Sequence, residues 1–136
     1  MREILFRGRR TDGEWVYGYP VPTTTNCYDK GVEIIDTEGI EYDELDYFNP
    51  MFSADHVEPE TVGQFTGLTD KNGTKIFEGD IVQAHFRTNH SKQTFRVIFE
   101  DGMFLFDNFC VKVPKYDIYS MKVIVNIHDN PELLEG

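Results

Sequence analysis

Residues 94–107, TFRVIFEDGMFLFD, read as a β-hairpin. Phe95, Val97 and Phe99 alternate with Thr94, Arg96 and Ile98, the two-residue period of a strand with one face in a core. Asp101-Gly102 supplies the connection, because a type I′ turn needs positive φ at both central positions and Asp-Gly tolerates it. Met103–Asp107 returns as the partner strand.

The same punctuation continues in both directions. Phe109–Val113 reads as a short strand ended by Pro114, with Cys110 a small core or edge residue, and Lys122–Ile127 sets Val123, Val125 and Ile127 on one face. Upstream, Asp80–Arg87 runs into the polar loop Thr88–Gln93, Lys75–Phe77 follows the Asn72-Gly73 turn, and Val62–Thr66 follows Pro59. At the front, Ile4–Arg7 and Glu14–Tyr19 flank Asp12-Gly13 as another hairpin. Short strands at this spacing predict a small barrel or sandwich and not βαβ units. Its core should hold Ile76, Ile81, Phe95, Val97, Phe99, Phe104 and Val123. Asn130 and Pro131 suit the cap and first position of a short helix carrying Leu133 and Leu134.

Composition points the same way. The 136 residues are one compact domain's worth. Eleven Phe and seven Tyr against two Ala favour strands, so the expected class is mostly β. The net charge of −11 disfavours direct nucleic-acid binding and docking on anionic lipid, both of which need a basic surface. No stretch approaches a membrane span, and the opening MREILFRGRR lacks an apolar leader core, so a cytoplasmic protein with reduced Cys27 and Cys110 is expected.

The acidity is concentrated. Residues 29–60 carry eleven acids against Lys30, a local charge of −10. Val32–Ile34 and Ile40–Tyr42 could pair across Thr37-Glu38-Gly39, or Glu41–Phe48 could form a short helix stopped before Asn49-Pro50. Either way this is an ordered excursion, and burying all its apolar side chains would bury carboxylates too, at high cost. Tyr42, Leu45, Tyr47, Phe48, Met51 and Phe52 are therefore expected to face a partner or a second copy.

Residues 61–82, TVGQFTGLTDKNGTKIFEGDIV, combine two turns. Gly67 and the bend Asp70–Gly73 make the first, and Glu78-Gly79 the second, where Gly79 takes positive φ and Asp80 bonds backbone amides. Asp70-Lys-Asn-Gly looks like the start of a calcium loop, but Gly73 comes at the fourth position and Ile81 occupies the twelfth. His56, His85, His90, His128 and the two cysteines show neither CxxC nor HExxH spacing. The chain has no P-loop, dinucleotide fingerprint or nucleophile elbow, so no catalytic residue, metal or cofactor is assigned. Arg87, Lys92 and Arg96 form a modestly basic loop and strand face, with His85 and His90 at the two ends of the loop.

The 61–82 motif resembles the YopX family, small proteins encoded by bacteriophages and prophages. The opening EILFRG with GEWVYGY resembles its first hairpin, and VIVNIHDNPELL its closing strand and short helix. Val125 stands where a glycine is expected and His128 where an aromatic is usual. The resemblance implies an SH3-like barrel over residues 67–136, preceded by an N-terminal β-hairpin extension over 1–66 that contains the acidic excursion. It implies location in the bacterial host cytoplasm and carries no established activity. The expected role is a non-enzymatic protein-interaction module that self-associates. The alternative is an acidic nucleic-acid mimic that inhibits a nucleic-acid-binding protein. Dialysis against a chelator should leave the melting curve unchanged; a fall of several degrees would mark a bound metal.

Overall fold

The computed structural model describes residues 3–26, 29–41 and 51–129. The protein is mostly β, and its strands pair antiparallel throughout. Among the described residues there is no α-helix; one 3₁₀ turn spans Lys115–Asp117. The expected helix after Asn130 lies outside the described residues. Two compact units are present, one spanning Ile4–Gln64 and one starting at Phe65.

The first unit contains β1 (Phe6–Arg9), β2 (Trp15–Asn26), β3 (Asp29–Glu41) and β4 (Met51–Thr69) as far as Gln64. Strand β2 pairs with β1 and β3, β3 with β4, and β4 with β1, so each strand has two neighbours. Gly13, at φ +90°, turns the chain between β1 and β2, as the Asp12-Gly13 reading predicts. Of the two alternatives for the acidic segment, the helix over Glu41–Phe48 falls almost wholly outside the described residues, and the hairpin does not form. Thr37-Glu38-Gly39 is not a hairpin turn but part of β3, and a register shift between Asp36 and Glu41 absorbs it. Ile34 pairs with Pro20 on one side and Asp55 on the other, which satisfies more backbone than a hairpin closed on itself. Alternation then solves the burial problem: Ile34 is buried while Glu33 and Ile35 point to the opposite face.

Close packing in this unit centres on Val57 and Gly8. A Cβ at Gly8 would stand 2.8 Å from Val57 Cγ2, a branched side chain with no slack. Beside it the β1–β4 register shifts between Arg7 and Arg9. Thr61 bridges the shift: its hydroxyl accepts from the Arg9 amide (2.8 Å) and donates to the Glu58 carbonyl (2.6 Å).

The second unit contains the end of β4, then β5 (Lys75–Phe77), β6 (Asp80–Phe86), β7 (Lys92–Glu100), β8 (Met103–Asp107), β9 (Lys112–Val113) and β10 (Ile118–Asn126). Five strands run in the order β10-β6-β7-β8-β9. The β7–β8 hairpin turns at Asp101 and Gly102, with φ of +53° and +78°, both left-handed as a type I′ turn requires. Ile76, Val82, Ala84, Phe95, Val97, Phe106 and Ile118 form the core, with Val123 packed against it; Ile81 is also buried.

Two expected core residues do not belong there. Phe99 is 50% exposed and Phe104 half-buried; they pair across the hairpin, rings 5.0 Å apart, beyond the end of the core. Phe106, opposite Val97, takes the buried place instead. Cys110 is exposed and free, and the expected strand shortens to Lys112–Val113. Asn108 is the reason: its side-chain oxygen accepts from the amides of Cys110 and Val111, an Asx turn that replaces ladder pairing.

The turns before β6 hold this unit in register. Gly67, Gly73 and Gly79 all have positive φ, +88°, +83° and +92°. Gly79 donates its amide to Val97 and accepts from Ile127, joining β7 to the residue after β10. Asp80 accepts from the Phe77 amide at 2.8 Å. Half-buried Glu78 is pushed above the ordinary carboxylate range by burial. Asp70, 7% exposed, accepts from the amides of Asn72, Thr74 and, across the unit, Val123 at 2.8, 2.9 and 3.0 Å. Burial alone would raise its carboxyl; the three amides and the nearby Lys122 outweigh burial and hold it below the ordinary range.

Gly8→Ala should destabilise the protein by about 1–3 kcal/mol through the clash with Val57, read as a lower melting temperature. Gly79→Ala should cost roughly 1 kcal/mol or more, because alanine resists positive φ. Asp70→Ala leaves three amides without their acceptor and should cost about 3 kcal/mol. Since the folded state depresses this carboxyl, its contribution is present at neutral pH and is lost as pH falls through the folded-state value. Melting temperature should therefore depend less steeply on acid in Asp70→Asn than in the parent.

Candidate functional site

Of the residues expected to face a partner, Tyr42, Leu45, Tyr47 and Phe48 lie outside the described residues, while Met51 and Phe52 open β4. The turn residues Gly67, Asp70, Gly73, Gly79 and Asp80 occupy the backbone positions given above, and their hydrogen bonds run to main-chain groups. Two surfaces remain that the fold builds from well-separated residues.

One lies on β2. Tyr17, Tyr19 and Val21 are 47%, 44% and 39% exposed, while Gly18 between them is buried. Because side chains alternate across a strand, these three share one face. Ile35 of β3 stands opposite Tyr19 and Ala54 of β4 opposite Ile35, so the apolar row continues across the sheet. Strand β2 pairs with β1 from Trp15 to Gly18 and with β3 from Tyr19 to Asn26, so the row crosses the point where its neighbour changes.

The other lies where β6, β7 and β10 meet. His85 of β6 is directly opposite Tyr119 of β10 and Lys92 of β7, which puts three side chains in one cross-strand row. The His85 and Tyr119 rings stack at 5.3 Å. His90 Nδ1 is 2.9 Å from the Tyr119 hydroxyl, and Arg87 lies 5.6 Å over the Tyr119 ring while its Nε donates to the Tyr116 carbonyl. Two residues on this cluster, His90 at φ +58° and Ser120 at φ +56°, adopt left-handed backbone without being glycine. Ser120 sits in a bulge between Tyr119 and Lys122. Left-handed non-glycine residues cost of order 1 kcal/mol, and such strain concentrates at functional sites.

The basic loop and its two histidines are visible in the sequence, but Tyr119 is not a visible member. It arrives from 29 residues beyond His90, and only the β6–β10 pairing brings it in. Arg96, grouped with Arg87 and Lys92 by sequence, belongs elsewhere: it pairs with Asp107 at 3.1 Å. Among the described residues, no group of three or more His, Cys, Asp or Glu could hold a metal ion. Nor is any helix among them long and apolar enough to cross a membrane.

No curated protein matches the chain. A solved structure, described as the crystal structure of protein EF1440 from Enterococcus faecalis, is similar at 26% identity and a TM-score of 0.60, covering 98% of this chain and 99% of that one. A family model described as YopX protein matches residues 12–135, nearly the whole length, and the chain belongs to the YopX family.

Proposed function

We propose that this YopX-family chain is a non-enzymatic protein-interaction module of the bacterial cytoplasm, and that it self-associates through the exposed face of β2. The observation that carries the reading is the row Tyr17, Tyr19 and Val21, three successive outward positions of one strand that are all large, apolar and exposed. Water gains from covering such a row, and tyrosine is a favoured anchor because it adds a polar tip to a large apolar body. A second copy is the natural occupant, since one apolar face is self-complementary about a two-fold axis. For the second unit we propose an SH3-like barrel, supported by the order β10-β6-β7-β8-β9, in which the last strand returns beside the first of the five.

The mimic reading has weaker support. A nucleic-acid mimic needs carboxylates free to meet a basic groove. Glu58 is held by Arg9 at 3.0 Å and Asp55 lies 3.6 Å from Arg10, so part of the acidic segment's charge is already neutralised within the chain.

Light scattering on the parent should give a mass above the 15.8 kDa of one chain. Tyr19→Ser with Val21→Ser should return it towards that value with melting largely kept, because both side chains are exposed. Tyr47→Ser with Phe48→Ser, tested alongside, reports whether the acidic segment shares the interface. A parent that stays monomeric at every concentration would end the self-association reading.

A further inference from the structure

We propose that the β6–β7–β10 surface is a binding site for an extended, carboxylate-bearing peptide of a partner protein, with Arg87, Lys92 and the two histidines as its donors.

The argument starts from the charges. Among the described residues, no carboxylate comes within ion-pair distance of Arg87 or Lys92, although the chain as a whole carries −11. Arg96, Lys75 and Lys112 of the same unit all have carboxylate partners. Lys71, Lys115 and Lys122 likewise have no carboxylate within ion-pair distance among the described residues. What distinguishes Arg87 and Lys92 is their placement around one row, Lys92 directly opposite His85 and Arg87 over the Tyr119 ring that stacks on His85.

The donors are also held in place. Arg87 is anchored at both ends, its amide donating to the Asp117 carbonyl and its Nε to the Tyr116 carbonyl, while its guanidinium rests on Tyr119. Using Nε in this way leaves the two terminal nitrogens, a pair that suits one carboxylate. His90 is fixed by the Tyr119 hydroxyl. His85 Nδ1 is buried with no hydrogen-bond partner. A buried N–H without an acceptor is rarer than a buried bare acceptor, so the proton belongs on Nε2, making that nitrogen a donor.

Geometry selects the ligand. Directly opposite residues on neighbouring strands stand about 5 Å apart, and successive outward positions on one strand about 7 Å apart. The row Tyr119–His85–Lys92 is followed along β6 by Lys122–Gln83–Thr94, which carries a further cation. An extended peptide places alternate side chains about 7 Å apart, so Asp or Glu at every second residue matches the rows. Single-stranded nucleic acid is the less favoured anion. It would need an open aromatic face for stacking, and the ring of Tyr119 is already engaged by His85 and Arg87.

The test uses the full-length protein and a labelled oligoglutamate peptide, followed by fluorescence anisotropy. Binding should appear at low salt and weaken as salt rises. Arg87→Gln with Lys92→Gln should lower affinity about tenfold or more, as expected for losing charge-assisted hydrogen bonds. Lys112→Gln removes a positive charge at β9 and should change affinity less than about twofold. Among the described residues the Lys92 side chain makes no ion pair, so loss of binding in Lys92→Gln alone reads the site even if Arg87→Gln impairs folding. The proposal fails if the peptide does not bind, if Lys112→Gln weakens binding as much as the site variants, or if oligothymidylate binds more tightly than the peptide.

Discussion

Asp70 is the point on which the second unit turns. A single carboxylate accepts from two amides of its own bend and from the amide of Val123 in β10. The local pair could form in an isolated turn. The third bond ties that turn to a strand 53 residues away and so fixes where β10 lies beside β6. Ionised carboxylates are costly to bury, and this one is nearly buried, so its bonds must be satisfied together or not at all. Lys71 reinforces the link by donating its amide to the Met121 carbonyl.

Once β10 is placed, the histidine–tyrosine cluster follows. Tyr119 meets His85 because the two residues are directly opposite, and Ser120 accommodates the extra residue of the bulge beyond them. A bulge rotates the strand locally and re-aims its side chains. Here it stands between the Asp70 anchor and the row of exposed donors, so strain in the backbone is borne next to the surface that we assign to a ligand.

The first unit meets a different constraint. Its β3 carries much of the acidic charge, and an acidic segment resists ordering through self-repulsion. Alternation lets Ile34 be buried while Glu33 stays on the opposite face with Ile35. Arg9 and Arg10 offset part of the remaining charge at Glu58 and Asp55, contributing little each at such exposure. The same alternation on β2 leaves Tyr17, Tyr19 and Val21 outward, which makes the apolar face a consequence of the strand period.

Much of the architecture was legible in the residues themselves. Alternating Phe95 and Val97, the Asp101-Gly102 turn and the positive-φ glycines are local features, decided within a few residues by sterics and side-chain period. The YopX motif at 61–82 was legible for the same reason. What sequence could not decide depends on contacts between distant segments. Phe99 has the same pattern as Val97, yet the core ends before it reaches Phe99. Thr37-Glu38-Gly39 has the composition of a turn, yet β2 and β4 offer β3 more pairing than a local hairpin does. Tyr119 carries no local sign of a site, because its place beside His85, Arg87 and His90 exists only after β6 and β10 pair. Local sterics are written in neighbouring residues; burial and cross-strand neighbours are set by which segments win the competition to pair.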